Sequence, residues 1–173
     1  MPEFIPVLRK KDIENQIAEV SRKISDDYQG RELIMIGVLK GAFVFFADLM
    51  RQIRVEKIKV DFLRAASYGA GTLSSEKICL TKDIDLNIEG KDVLVVEDIV
   101  DTGLTLAFII DHLKKSNPKS VKICAMIDKR ERRQTDVGVD YTCFVAQEGF
   151  LVGYGLDYAE YYRNLPELYQ IKF

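Results

Sequence analysis

The stretch Val93–Thr105, VLVVEDIVDTGLT, decides the fold class. Its first four residues, Val93 to Val96, are aliphatic without alternation, the pattern of a strand buried on both faces of a sheet. Glu97 and Asp98 follow at the carboxyl end of that strand. Asp101 then opens a short turn through Thr102, Gly103, Leu104 and Thr105 into an amphipathic helix, LAFIIDHLKK. In an open α/β sheet, ligands sit beyond the carboxyl ends of the strands and against helix amino termini. A single acid here would be an ordinary helix cap. Three carboxylates within five residues repel one another and gain little from folding unless a ligand, metal or cation occupies the site. Adjacent hydrogen-bond acceptors beside an anion cradle suit a ligand with vicinal hydroxyls and a phosphate, such as a ribose phosphate.

Other phosphate-binding patterns are absent. No GxxxxGK[ST] occurs, and Leu104 stands where a P-loop would need its lysine. GAGTLS from Gly69 and GYGLDY from Gly153 are near-misses to a dinucleotide fingerprint, but neither lies between a first strand and its helix. The 173 residues suit one domain, 1–173, and a hydrophobic fraction of 47% supplies a full core. A formal net charge of −2 gives no basic footprint for nucleic acid. Cys79, Cys124 and Cys143 form no CxxC or zinc spacing and read as reduced core thiols of a cytoplasmic protein. No apolar run approaches the roughly 20 residues that span a bilayer, and MPEFIPVLRKKD lacks an apolar signal core. These features predict no membrane partner and no secretion. The single histidine, His112, falls on the helix after the acidic turn and reads as a surface residue, which removes Ser–His, Cys–His and HExxH chemistry.

Working outward, Asp12 to Asp27 has helical apolar spacing at Ile13, Ile17, Val20 and Ile24. Glu32–Val38 reads as a strand that Lys40-Gly41 turns into an apolar helix, AFVFFADLMRQI. Lys57–Leu63 is the next strand, Ser67–Glu76 a glycine- and serine-rich mobile loop, and Lys77–Thr81 a strand leading back. The helix after Thr105 stops near Ser116-Asn117-Pro118. Val121–Ile127 is a strand followed by DKRERR, and Cys143–Val145 and Phe150–Val152 are short strands. Alternating strands and helices predict a mostly parallel central sheet flanked by helices, with a core over about 30–145. A smaller hood is expected from the N-terminal segment and about 146–173.

Several further positions could carry chemistry, each with a bland alternative. Lys40-Gly41 could face an anion with a free amide, although an ordinary strand-to-helix turn is the more frequent explanation of that pair. Lys129 ends a core strand and could donate to a ligand oxygen, while most of DKRERR reads as solvent-facing. Phe150 could stack on a planar heterocycle, against the commoner fate of core packing. Asp157 and Arg163 could be no more than an exposed salt bridge. The helix after Lys40 carries Phe43, Val44, Phe45 and Phe46, more large residues than one buried face requires, which predicts a homodimer or homotetramer.

Taken in order, IGVLKGAFVF, VDFLRAASYG, VLVVEDIVDTGLTL, IDKRERR and FLVGYGLDYAEYYRNLP resemble the purine phosphoribosyltransferases of the hypoxanthine–guanine type over about residues 30–168. The resemblance implies a type I phosphoribosyltransferase fold. It implies transfer of 5-phosphoribosyl from 5-phosphoribosyl-1-pyrophosphate (PRPP) to N9 of a 6-oxopurine, giving IMP or GMP and pyrophosphate in purine salvage with Mg²⁺. Carried over by position, Glu97 and Asp98 meet the ribose hydroxyls and, with Asp157, the metal. Asp101, Thr102, Gly103, Leu104 and Thr105 wrap the 5′-phosphate, with Asp101 also reaching purine N7 as the catalytic group. Lys40, Gly41 and Arg163 face the pyrophosphate, and the Lys40 turn is expected to hold a non-proline cis peptide. Lys129, Phe150, Leu151 and Asp157 hold the purine, and Ser67 and Tyr68 belong to a loop that closes over the reacting centre. Some members carry lysine where this chain has Leu104. A xanthine-preferring enzyme and a non-catalytic PRPP-sensing regulator are the alternatives.

Overall fold

A computed structural model describes residues 2–68 and 77–172, with the side chains of Ser67, Tyr68 and Lys77 excepted. Residues 69–76 of the expected Ser67–Glu76 loop, and the two side chains assigned to closure, lie outside the described residues. In chain order the elements are β1 (Glu3–Leu8), α1 (Lys10–Asp27), β2 (Glu32–Val38), α2 (Phe43–Gln52), β3 (Lys57–Tyr68), β4 (Lys77–Lys82), β5 (Asp92–Val100), α3 (Leu104–Lys114), β6 (Ser120–Lys129), β7 (Tyr141–Ala146), β8 (Leu151–Val152) and β9 (Leu168–Lys172).

Six strands form the main sheet in the order β4-β3-β2-β5-β6-β7. Every neighbouring pair is parallel except β3 with β4, the strand expected to lead back. The side chains of β5 and β2 alternate between two apolar layers, as the period of two requires. Leu94, Val96, Leu33 and Met35 meet α1 and α2, while Val93, Val95, Ile34 and Ile36 meet α3. The unbroken aliphatic run from Val93 to Val96 is therefore what a strand covered on both faces needs, and all four residues are fully buried. Helix α1 presents Ile13, Ile17, Val20 and Ile24 to the same cluster as Leu33 and Leu94, so it belongs to the main core.

β5 differs from the expected Val93–Val96 strand in running on through Glu97 and Asp98 to Val100. Its parallel pairing with β6 continues through Glu97↔Ala125, Ile99↔Ile127 and Val100↔Asp128, which holds the acids on a rigid ladder instead of a loop. The strand order changes direction between β2 and β5. The chain leaves β2 through α2 towards β3, and leaves β5 through α3 towards β6 on the opposite face. That switch point opens a crevice at the carboxyl ends of β2 and β5.

A second, antiparallel sheet, β1-β9-β8, joins the two ends of the chain, with Ile5 opposite Gln170 and Leu151 opposite the same Gln170. It carries the segment 153–166 over the crevice. No helix among the described residues is long and apolar enough to cross a membrane.

Candidate active site

Glu97 is buried at the end of β5 and Asp98 is partly buried beside it. Their oxygens turn back on their own backbone: Asp98 N–H donates to Glu97 Oε1 at 3.1 Å and Ile99 N–H to Asp98 Oδ1 at 2.8 Å. Burial pushes the Glu97 carboxyl well above the usual carboxylate range, and the charge of Asp98 pushes it further. Asp98 is also raised by burial, against the opposing pull of the Ile99 N–H and the Arg163 charge. Two adjacent acids that are hard to ionise together form an acceptor pair suited to hydroxyl donors or a cation.

The turn after β5 is set by Gly103, whose φ of +82° lies in the left-handed region. A Cβ there would meet the Thr135 carbonyl oxygen at 2.7 Å, so the turn is packed tightly under the segment after β6. α3 starts at Leu104 with no strong side-chain cap; the Leu104 N–H reaches Thr102 Oγ1 at only 3.4 Å. Its first-turn N–H groups have no intrahelical partners, which suits an anion. Thr102 to Thr105 therefore sit where a 5′-phosphate cradle is expected.

Asp101 is held by a residue the sequence reading passed over. Arg132 Nε donates to Asp101 Oδ2 at 3.0 Å, leaving Oδ1 buried without a hydrogen-bond partner. Arg133 corrects the reading of DKRERR more plainly. Its guanidinium donates to the Asp101 carbonyl at 2.9 Å and to those of Val100 and Lys129 at 3.1 Å, and pairs with buried Asp128. Arg130, Glu131 and Arg132 are exposed as expected, while Arg133 fastens the β6 end to the acidic turn. Its contacts join positions about 30 apart, and nothing local distinguishes it from its charged neighbours.

Across the crevice, the Leu39–Lys40 peptide is cis, as the resemblance implied. Gly41 lies hard against the acids: a Cβ on it would fall 1.6 Å from Asp98 Oδ2. Gly155 in turn packs on Gly41, where a Cβ would fall 2.2 Å from the Gly41 carbonyl oxygen. Arg163 is mostly buried, donating from Nη1 to the Gly155 carbonyl at 2.7 Å and pairing from Nη2 with Asp157 Oδ1 at 2.7 Å. The Asp157–Arg163 pair is thus sheltered, against the bland expectation of an exposed one.

Between these elements lies a cleft of about 420 Å³, lined among others by Asp98, Asp101, Lys129, Phe150, Leu151 and Asp157. Lys129 is 9% exposed at its side chain, and its Nζ pairs with Glu131 Oε2 at 3.2 Å. Phe150 is 50% exposed, which rules out the core fate, and it meets the Tyr158 ring edge-on at 5.6 Å. Every residue assigned to the purine from sequence therefore lines one cavity, although Lys129 ends β6 of the main sheet and Phe150 immediately precedes β8 of the other.

Among the described residues, no group of three or more His, Cys, Asp or Glu is arranged to hold a metal alone. The expected trio Glu97, Asp98 and Asp157 does not form a protein cage, because Asp157 is engaged by Arg163 and by the Glu160 N–H. The donor set still fits Mg²⁺, which commonly takes one or two carboxylates and fills its octahedron with water and substrate phosphate oxygens.

Residues 7–159 match the phosphoribosyl transferase domain family. A hypoxanthine-guanine phosphoribosyltransferase of Aquifex aeolicus is 45% identical over 96% of this chain and 93% of its own. The hypoxanthine phosphoribosyltransferase of Escherichia coli K12 is 42% identical over 92% and 90%. A crystal structure of a Bacillus anthracis hypoxanthine-guanine phosphoribosyltransferase superposes with a TM-score of 0.91 at 42% identity, covering 99% of this chain and all of that one. The chain belongs to the phosphoribosyltransferase family, in the branch whose members bear the name hypoxanthine or hypoxanthine-guanine phosphoribosyltransferase.

Proposed function

We propose that the protein transfers 5-phosphoribosyl from PRPP to N9 of hypoxanthine or guanine, giving IMP or GMP and pyrophosphate. The observation that carries this reading is the single cleft in which Lys129, Phe150 and Asp157 face Asp98 and Asp101. The α3 amino terminus receives the 5′-phosphate, and Glu97 and Asp98 accept the ribose hydroxyls. Lys40 and Arg163 take the pyrophosphate, while Lys129 donates to the purine 6-oxo group over the Phe150 ring. Breaking the anomeric C–O bond builds positive charge on the ribose, which the acids of β5 oppose, and negative charge on the leaving group, which Lys40 and Arg163 oppose. Mg²⁺ held by Glu97 and Asp98 together with PRPP oxygens would add positive charge beside the departing pyrophosphate.

Asp101 has Oδ2 fixed by Arg132 and Oδ1 buried without a hydrogen-bond partner, and its carboxylate lines the cleft. Asp101 accepts the N7–H of the purine and orients the ring. A carboxylate is too weak a base to strip a neutral purine, so full proton transfer follows as the N9–ribose bond forms and the base becomes cationic. Helix α2 turns Phe45 and Phe46 inward and leaves Phe43 47% exposed, so the self-association surface includes Phe43. A single monomeric boundary in sedimentation at micromolar concentration would remove that part of the reading. Buried, unpaired Cys124 and Cys143 support a cytoplasmic setting.

The test is turnover with PRPP and Mg²⁺ and each of hypoxanthine, guanine, xanthine and adenine, followed by absorbance. Adenine lacks the oxo group and sets an amino group against the Lys129 ammonium, losing that hydrogen bond, so it is expected to be worse by about 5- to 150-fold. Turnover with no base would overturn the reading, and preference for xanthine would reassign the substrate.

A further inference from the structure

The two cations assigned to pyrophosphate share one anion already. Lys40 Nζ lies 2.9 Å from Glu160 Oε2, and Arg163 Nη2 lies 3.3 Å from the same oxygen. Lys40 follows β2 and Glu160 sits in the hood, 120 positions along the chain. One carboxylate oxygen therefore bridges two cations from opposite walls of the crevice, as a phosphate oxygen would.

We propose that Glu160 is a placeholder for pyrophosphate, a positioning residue that holds Lys40 and Arg163 between turnovers and competes with both PRPP and product for them. This rests on the reading of Lys40 and Arg163 as the pyrophosphate cations. Three features separate it from a stabilising salt bridge. Glu160 is 63% exposed, so its ion pairs are weak enough for a polyanion to displace. Arg163 keeps the Gly155 carbonyl and Asp157 when Glu160 leaves, so its guanidinium stays in place. Lys40 makes no other ion pair among the described residues, so Glu160 alone keeps it aimed into the crevice.

The local backbone is shaped to deliver the carboxylate. Ala159, Glu160 and Tyr162 have φ of +51°, +69° and +75°, conformations that non-glycine residues adopt only when their surroundings impose them. The Glu160 N–H is tied to Asp157 Oδ2 at 2.8 Å, and Tyr158 and Tyr161 exchange backbone hydrogen bonds at 3.1 and 3.0 Å across the same turn. The turn is thereby closed with the Glu160 side chain pointing back over the site. Lys129 and exposed Glu131 repeat the arrangement at the purine end, a ligand-facing cation capped by a surface glutamate.

A competitor for the leaving-group site weakens substrate and product alike and speeds product release. Glu160→Gln removes the charge and keeps the shape. It is expected to lower the pyrophosphate inhibition constant and the KM for PRPP together, by about threefold to tenfold. The KM for hypoxanthine should stay unchanged. Titration of Mg·pyrophosphate into the enzyme without base should show the same tightening. Glu160→Asp, whose shorter side chain cannot bridge both cations, should move both constants the same way. Unchanged constants would overturn the proposal, and so would weaker pyrophosphate binding in Glu160→Gln, the sign that Glu160 builds the site. Lys40→Met and Arg163→Met separate the two layers. If either weakens pyrophosphate while Glu160→Gln does not tighten it, the placeholder fails alone. If neither does, the assignment of the pyrophosphate cations fails with it.

Discussion

The two ends of strand β5 treat their acids in opposite ways. At the amino end, Asp92 is surrounded by donors: Arg31 Nε at 2.9 Å, Ser120 Oγ at 2.6 Å and Lys119 Nζ at 3.5 Å. Burial pushes its carboxyl up, but Ser120, Arg31 and Lys119 outweigh burial and hold it below the usual range. Next to it, hydrogen bonds from Lys91 and Lys59 pull Glu32 down to about 2. At the carboxyl end, burial raises both Glu97 and Asp98, and the charge of Asp98 raises Glu97 further, while the only cation that opposes the rise of Asp98 is Arg163. One strand thus carries a finished electrostatic design at one end and an unfinished one at the other, and a ligand completes the second. On the proposed function, the bottom of the sheet serves stability and the top serves binding, a division that follows from which charges the fold leaves unpaired.

The sharpest way to break this contrast is at Gly41. Its Cα stands where any larger residue would expel the Asp98 carboxylate, since a Cβ would lie 1.6 Å from Oδ2. Gly41→Ala is expected to lower kcat/KM by about 100-fold through misplacement of that acceptor, with the far-ultraviolet circular dichroism unchanged. Activity within tenfold of the parent would mean that this close approach does not position Asp98.

Asp92→Asn attacks the other end. It strips one charge from a buried site and leaves Arg31, Lys119 and Ser120 poorly matched, at a cost of about 1–3 kcal/mol near neutral pH. The folded-state pKa of Asp92 lies below its unfolded value, so its stabilisation is present above the unfolded value and is lost as pH falls through the folded one. Denaturant midpoints of parent and variant should therefore differ at pH 7 and converge in acid, while kcat per folded molecule stays the same. A gap that persists in acid would assign the loss to packing.

The top of the sheet was the more legible end. Hydrogen-bonding side chains at strand ends leave a local signature, three acids before a glycine turn, so Glu97, Asp98 and Asp101 could be read from thirteen residues. The aliphatic runs of β2 and β5 made the doubly covered sheet legible for the same reason. What could not be read depends on contacts far apart in the chain. Both chain ends are expected in the hood, but not the β1–β9 pairing that joins them. Gly41 meets Asp98, and Arg132 and Arg133 meet Asp101 and its neighbours. In each case the partner is chosen by topology, and one glycine or arginine looks like another until the strands are ordered. DKRERR shows the limit clearly, because its four basic residues do three different jobs: Lys129 faces the cleft, Arg130 pairs with Asp128 at the surface, and Arg132 and Arg133 brace the acidic turn.

Glu97→Gln probes the contrast most finely, because it should improve the fold while harming the site. A glutamine keeps the shape and removes a group whose ionisation β5 does not compensate. The folded-state pKa of Glu97 lies above its unfolded value, so the unfolded chain releases the proton first. Stability is then complete below the unfolded pKa, about 4.3 for a glutamate, and falls as pH rises towards the folded value. The ligand-free variant should therefore match the parent near pH 4 and exceed it at pH 8 by about 1 kcal/mol, or about 2–4 °C in Tm for a chain of this size. Adding PRPP with Mg²⁺ should reverse the order, since the parent gains more from a ligand that needs the charge. A variant less stable than the parent at pH 8 without ligand would show that Glu97 is compensated within the fold. The difference between the two ends of β5 would then lie in Asp98 alone.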